Sequence, residues 1–406
     1  MSDRTHEQHA LRVHIARRAT LPDPVKLARY EKSPELGPRV LFFSGGSALR
    51  GLSREIIRYT YNSIHIITPF DSGGSSAKLR TAFDMPAIGD VRNRLMALAD
   101  QSLHGNPEIF ALFAHRFPLD APQEELLHEL ARMQRGEHPL VAGVPDPMHH
   151  IIRHYLSTFL RRMPDTFDLR GASIGNLVLT AGYLENNRQM SPVIYIFSKL
   201  VQVRGEVHPV LNGSLHLAAR LANGETLLGQ HRITGKETPP PASPITGVHL
   251  TATPEDPTPI AASAPDNILA LIRDAELICY PMGSFYSSLM ANLLPQGIGR
   301  AILDAECPKI FIPNMGNDPE SRTLSVAEET RRLLTELRRD TAPDTPADRL
   351  LNLVLVDGHA GQYPGGIDAQ SLEHLGVRVV DAPLVTTASA PLIAPERLAP
   401  LLLSLT

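Results

Sequence analysis

The residues best suited to chemistry stand in two glycine- and serine-rich stretches near the N-terminus. The first, Ser44-Gly45-Gly46-Ser47-Ala48-Leu49-Arg50-Gly51-Leu52-Ser53, joins an apolar run to a helical segment. Glycine lets backbone N–H groups approach an anion, and a helix N-terminus adds partial positive charge, so Gly45, Gly46 and Ser47 are candidate phosphate contacts. Gly46 and Gly51 have the spacing of a Walker A loop, but Leu52 stands where its phosphate-binding lysine must be. The dinucleotide fingerprint is absent too, because Ser47 takes the place of its second glycine. A plain tight turn is the bland alternative.

The second stretch, Thr68-Pro69-Phe70-Asp71-Ser72-Gly73-Gly74-Ser75-Ser76-Ala77-Lys78-Leu79-Arg80, follows the next apolar run. In a parallel sheet, loops at the carboxyl ends of adjacent strands share one crevice. Gly73, Gly74, Ser75 and Ser76 with Lys78 and Arg80 would extend a diphosphate cradle, and Asp71 could hold Mg²⁺ or a ribose hydroxyl. In Gly89-Asp90-Val91-Arg92-Asn93, Asp90 reads as a helix N-cap, while Arg92 and Asn93 could face the same crevice. Pro281-Met282-Gly283-Ser284-Phe285-Tyr286-Ser287-Ser288 would offer further N–H groups and hydroxyls to an anion. His150 and His154 are four apart, as zinc ligands on a helix can be, but neither a third ligand nor a metalloprotease glutamate accompanies them.

These loops need a frame, and the chain supplies one. Apolar runs at Arg39–Ser44 and Ile64–Thr68 flank a helical segment at about Arg50–Tyr61, which is βαβ order and predicts a parallel sheet. Residues 101 to 165 read as mostly helical, and another helix begins near Ser173. After Gly205, Val207–Leu211, Leu215–Leu221 and Thr226–Ile233 read as antiparallel strands, and Val248–Thr251 follows the proline-dense Thr238–Pro244. A second βαβ run has strands Leu277–Tyr280 and Lys309–Ile312 around a helix at about Ser287–Ala305, and strands Leu353–Val356 and Val377–Val380 complete the sheet. The expected fold class is therefore α/β: an N-terminal arm (1–38), a nucleotide-ligand domain (39–205 and 252–406), and a small inserted β subdomain (206–251).

Composition bounds the partners. The 406 residues are 43% hydrophobic and 20% charged with a net charge of −4, which argues against a nucleic-acid or anionic-membrane surface. Cys279 and Cys307 make no disulfide framework, and neither an apolar leader nor a membrane-length run is evident, so a cytoplasmic setting is expected.

Several of these segments resemble one known family, the 2-phospho-L-lactate transferase (CofD) superfamily, especially its YvcK branch of gluconeogenesis-factor-like, UDP-sugar-binding proteins. Beside the first glycine loop, the resemblance rests on Phe70–Arg80 (FDSGGSSAKLR), Gly89–Asp100 (GDVRNRLMALAD), Ser173–Ala181, Ser198–Pro209, Gly283–Ile298 and Gly376–Val385. The N-terminal arm looks like that of a CofD-related subgroup found in the GAK system. The resemblance implies a Rossmann-like core with a nucleotide-linked ligand at the carboxyl ends of its strands, and a homo-oligomer. It puts Gly45, Gly46 and Ser47 on phosphate, Asp71, Gly73, Gly74, Ser75 and Ser76 on the diphosphate or acceptor side, and Asn176, Gly283, Ser284, Tyr286 and Asn314 around the pocket.

Departures from the pattern shape the functional expectation. The family's usual Gly-Gly-Thr-Gly is Gly-Gly-Ser-Ala here, its acidic pair is Asp71-Ser72, and its Gly-His-Ser is Gly171-Ala172-Ser173. The deazaflavin-acceptor motifs of the transferase branch find no match. The expectation is a regulatory protein binding a nucleoside-diphosphate-linked ligand of UDP-sugar type. The alternative is a Mg²⁺-dependent transferase moving a phosphate-linked group to an acceptor alcohol, with Asp71 as its catalytic or metal-binding residue. Neither flavin nor nicotinamide is expected as a bound cofactor.

Overall fold

Val40, Leu41, Phe42 and Phe43 are apolar without alternation because the strand they form is covered on both faces. The computed structural model describes residues 19–102, 105–235, 238–316 and 318–406. Its main sheet has seven parallel strands: β1 (Val40–Ser44), β2 (Ile64–Ile67), β3 (Glu206–Pro209), β7 (Leu277–Tyr280), β8 (Lys309–Phe311), β9 (Leu353–Val356) and β10 (Arg378–Asp381), in the order β10-β9-β8-β7-β1-β2-β3. A small antiparallel sheet holds β4 (His216–Leu221), β5 (Thr226–Leu228) and β6 (Ile245–Thr251).

Side chains of β1 alternate between two cores. Leu41 and Phe43 join the cluster shared with the small sheet, whereas Val40 and Phe42 join the cluster under the C-terminal helix. From β1 the chain runs outward through β2 to β3, then returns to place β7 on the other side of β1. Strand order therefore reverses between β1 and β7, and the carboxyl ends there open a crevice.

Several sequence expectations shift. The strand expected at Val207–Leu211 as antiparallel is β3, an edge strand parallel to β2, because the helices between them return the chain to the starting end of the sheet. The strand expected over Thr226–Ile233 stops at Leu228. Gly229, at φ 91°, turns the chain into a short helix, Gln230–Thr234. The single helix expected over Ser287–Ala305 is instead a π-helical turn, Phe285–Met290, continued by Ala291–Leu293, then a break and Ile298–Asp304. Gly297, at φ 94°, makes the break.

Residues 1–18 of the expected N-terminal arm lie outside the described residues. Its remainder packs on the fold. The helix Pro24–Lys32, capped by Asp23, lies on the C-terminal helix Pro395–Leu403: the Asp23 N–H donates to Ser404 Oγ at 2.7 Å and Lys26 Nζ to the Ser404 carbonyl at 3.2 Å. Leu21, Leu27 and Tyr30 cover that cluster's edge. No described helix is long and apolar enough to cross a membrane.

Candidate functional site at the strand-order switch

The glycines after β1 are required by crowding rather than by a left-handed backbone. A Cβ on Gly45 would collide with Ser288 Oγ, and one on Gly46 with the Asp90 carboxylate. The loop thus lies flat against two other elements of the crevice. Beneath it runs the fully buried side chain of Arg94, which donates from Nη2 to the carbonyls of Gly45 (3.0 Å) and Gly46 (3.3 Å) and from Nη1 to Ser53 Oγ. Burial, and after it Arg50, lower its pKa to about 10, with Asp90 acting in opposition.

A cavity of about 210 Å³ opens above the loop, lined by Gly46, Ser47, Asp71, Gly73, Asp90, Asn93, Gln230, His231, Thr234, Ser284 and Ser288. A smaller one of about 60 Å³ adjoins it between Gly45–Leu49 and Pro281–Ser284. The fold therefore gathers Gly45, Gly46, Ser47, Asp71, Gly73, Asp90, Asn93, Gly283 and Ser284 from four separate segments around one crevice.

The other candidates stand elsewhere. Gly74 opens the helix Gly74–Phe83 at φ 50°. Ser75 Oγ accepts from Asn176 Nδ2 at 3.4 Å and Arg116 Nη1 at 3.3 Å, and Ser76 is buried against Gly89. Asn176 is buried, and its Oδ1 finds no partner among the described residues. Lys78, expected beside the phosphates, is committed to Asp168 (2.6 Å) and the Arg170 carbonyl (2.9 Å). Arg80 donates to the carbonyls of Phe70, Asp71 and Leu215, pinning the β2 loop to the small sheet.

Asp90 is not the N-cap. The helix Gly89–Ala97 begins one residue earlier, with Ile88 at the cap position, so Asp90 sits in the first turn against Gly46. Arg92 donates to the Phe113 carbonyl (3.3 Å) and to Asn93 Oδ1 (2.7 Å) rather than lining the cavity; burial above all, then Arg116 and Arg50, lower its pKa to about 10. It orients Asn93.

The amides expected at the β7 loop are already occupied. Asp318 Oδ2 accepts from the Phe285 N–H at 3.1 Å, and Glu320 Oε2 accepts from those of Tyr286 and Ser287, each at 2.8 Å. Two buried carboxyl groups therefore fill this helix N-terminus, and the loop meets the crevice through Gly283, Ser284 and Ser288. Burial first, then Asp318, push the Glu320 carboxyl up to about 7. Tyr286 points away, its hydroxyl donating to the Ile245 carbonyl at 2.9 Å and meeting Arg332. Asn314 lines a separate cavity of about 20 Å³ with Asp318 and Glu329.

Gln230, His231 and Thr234 escaped sequence reasoning, as did Arg94. Gln230 and His231 belong to a segment that reads as strand and Thr234 follows it directly; the turn at Gly229 makes them a short helix that lines the crevice. Ser72, which stands at the second place of the family's acidic pair, meets His231 Nδ1 through its Oγ at 2.8 Å and accepts from the His231 N–H at 3.2 Å. A second carboxylate nonetheless reaches the cavity, because Asp90 faces it along with Asp71. Asp71 and Asp90 are the two carboxylates of the cavity that would hold a hard cation such as Mg²⁺.

The histidines divide. His154 binds Glu185 at 2.9 Å, while His149, His150 and Asp146 bring donor atoms within 4.8 Å of one another. This group lies at the start of the helix Met148–Arg162, where the dipole disfavours a cation, and Asp146 and His150 are exposed.

Comparison with known proteins agrees with this architecture. A solved structure of a UPF0052 family member from Bacillus halodurans superposes with a TM-score of 0.67 at 24% identity, covering 90% of this chain and 99% of that one, which shows the fold. The gluconeogenesis factor of Bacillus subtilis is 29% identical over 282 residues, 70% of this chain and 69% of its own length. That of Halalkalibacterium halodurans is 30% identical over 276 residues, 68% of this chain and 66% of its own. A relative from Nostoc sp. is 28% identical over 353 residues, 85% of this chain but only 63% of its own length. The family profile described as 2-phospho-L-lactate transferase CofD matches residues 40–385. That span holds the whole main sheet, the inserted sheet and every residue lining the crevice, so the chain belongs to the CofD family.

Proposed function

We propose that this protein binds a nucleoside-diphosphate-linked ligand of the UDP-sugar type in the crevice between β1 and β7 and acts as a regulatory, ligand-sensing protein. The observation that carries the reading is the lining of the larger crevice cavity: Asp71, Asp90, Asn93, Gln230, His231 and Thr234 share it with Gly46, Ser47, Gly73, Ser284 and Ser288, with neither Lys nor Arg among its described lining residues. Carboxylates and amides accept and donate to sugar hydroxyls but repel or leave unpaired a second acidic group. The part of the ligand reaching Asp71 is therefore hydroxyl-rich rather than phospholactate-like. Diphosphate oxygens would lie over the glycine loop. Kinship with proteins named gluconeogenesis factor supports the regulatory side of the reading.

A second reading is favoured by one specific observation, the pairing of Asp71 and Asp90 on one cavity. Mg²⁺ held there would neutralise diphosphate charge as an acceptor alcohol oxygen bonds to the distal phosphorus, losing its proton, and the nucleoside monophosphate leaves. Thermal unfolding with UDP-sugars, UDP and GDP, each with and without Mg²⁺, tests both. A ligand at 100 times its Kd stabilises the native state by about 2.7 kcal/mol. Selective stabilisation by a UDP-sugar supports regulation, and a Mg²⁺-dependent guanine-nucleotide response supports transfer. Asp71→Asn then separates them: affinity alone should respond in a regulator, whereas turnover should collapse in a transferase. No shift with any nucleotide at millimolar concentration would refute both.

A further inference from the structure

The guanidinium of Arg94 is 1% exposed, yet none of its described hydrogen-bond partners is a carboxylate. It donates to Ser44 Oγ, Ser53 Oγ and the carbonyls of Gly45 and Gly46, and its Nε finds no partner among the described residues. A buried charge without a directly paired counter-ion is costly, and a long aliphatic side chain would fill this space more cheaply. The charge calls for a reason.

Peptide geometry supplies it. In a trans peptide unit the carbonyl and the following N–H point in opposite directions. Because the carbonyls of Gly45 and Gly46 point down to Arg94, the N–H groups of Gly46 and Ser47 point to the opposite side of the loop. That side is where Gly46 and Ser47 line both cavities. Successive N–H groups turned to one side form an anion-binding concavity. Absence of a Cβ at positions 45 and 46 keeps Asp90 and Ser288 close around it.

We infer that Arg94 is a positioning residue for an anionic ligand group: it turns the Gly46 and Ser47 amides toward the crevice and sets a positive charge one backbone layer beneath the bound anion. Arg94 does not touch the ligand. It acts through the loop, and the ligand's diphosphate adds counter-charge to that of Asp90, which acts on the guanidinium without a direct hydrogen bond among those described. The nearest acidic influence, Asp90, lies on the crevice side as well. This inference rests on the proposed diphosphate reading of the crevice and specifies which residue sets the anion's place.

The test compares UDP with uridine, by titration calorimetry and NMR line shifts, on the wild type, Arg94→Gln and Arg94→Lys, with urea unfolding to establish that each variant is folded. Arg94→Gln should weaken UDP binding about tenfold or more, a loss of about 1.4 kcal/mol, while uridine binding changes less than about twofold. Arg94→Lys should recover part of the UDP affinity, since it restores charge without the two-pronged grip. If Arg94→Gln fails to fold, the same UDP-to-uridine ratio measured on Arg94→Lys decides, and a ratio below the wild-type value is expected. Equal losses for UDP and uridine, or no loss in a folded variant, would show Arg94 to be structural only and overturn the inference. A wild type that binds uridine as tightly as UDP would instead overturn the diphosphate reading, and with it the role given to Arg94.

Discussion

Glu329 should make this protein lose stability as the solution turns basic, the reverse of an ordinary salt-bridged acid. Its side chain is 6% exposed on the helix Val326–Leu337, and burial pushes the carboxyl from 4.5 up to about 8, with Ser321 holding it back and Asp318 adding to the rise. Between those two values the unfolded chain releases a proton that the folded chain keeps. The stability tied to Glu329 is thus fully present below about pH 4.5 and is lost as the pH rises through about 8. Each pH unit in that window removes about 1.4 kcal/mol, so on the order of 3 kcal/mol disappears between about pH 5.5 and about pH 8. Glu329→Gln removes the titration at nearly constant volume. Urea unfolding of both proteins across that range gives the wild-type-minus-variant difference, in which the opposite contributions of His65 and His216, both with lowered pKa, cancel. Glu320, pushed up by burial and Asp318, falls out of the difference to the extent that it titrates alike in both proteins. A difference that stays flat with pH would show Glu329 ionised in the folded state and refute the reasoning.

Two further outcomes follow from contacts. Gly46→Ala drives a methyl group into the Asp90 carboxylate, whose Cγ would stand 3.0 Å away. Overpacking of this kind costs about 1–3 kcal/mol, so denaturant unfolding should show that loss, and calorimetry should show weakened nucleotide binding. Lys78→Ala should leave nucleotide affinity unchanged and lower stability by at most about 1 kcal/mol, because the amine serves a part-exposed ion pair with Asp168; a tenfold loss of affinity would contradict this placement.

Asp318 and Glu320 bear on where the crevice could accept an anion. The crevice has two helix N-termini facing the strand-order switch, after β1 and after β7, and either is a generic anion site. Here the second is filled from within the chain, and the first is tied from below by Arg94. On the proposed diphosphate reading, phosphate would go to the β1 loop, with Ser284 and Ser288 among the hydroxyls lining the same cavities.

Local signals carried much of this protein. The runs of Val40–Ser44, Ile64–Ile67 and Leu277–Tyr280 are apolar because both faces of a parallel sheet are covered, so their strand character was legible from residue types and their direction from βαβ order. Gly45, Gly46, Asp71, Gly73 and Ser284 were legible as crevice residues because each follows a strand or opens a helix, and chain order alone puts such positions at the carboxyl edge. What one long-range contact decides was not legible. Lys78 and Arg80 have the charge for phosphate, but Asp168, 90 residues away, claims one amine and the Leu215 carbonyl holds the other guanidinium. The β7 loop has the composition of an anion site, yet Asp318 and Glu320 take its amides from more than 30 residues downstream. Arg94 reads as an ordinary helix residue until packing buries it under the loop. Residue type and local spacing set what a backbone segment can offer; only the tertiary structure decides which partner reaches it first, because hydrogen-bonding groups and charges removed from water must be satisfied by whatever the fold brings within reach.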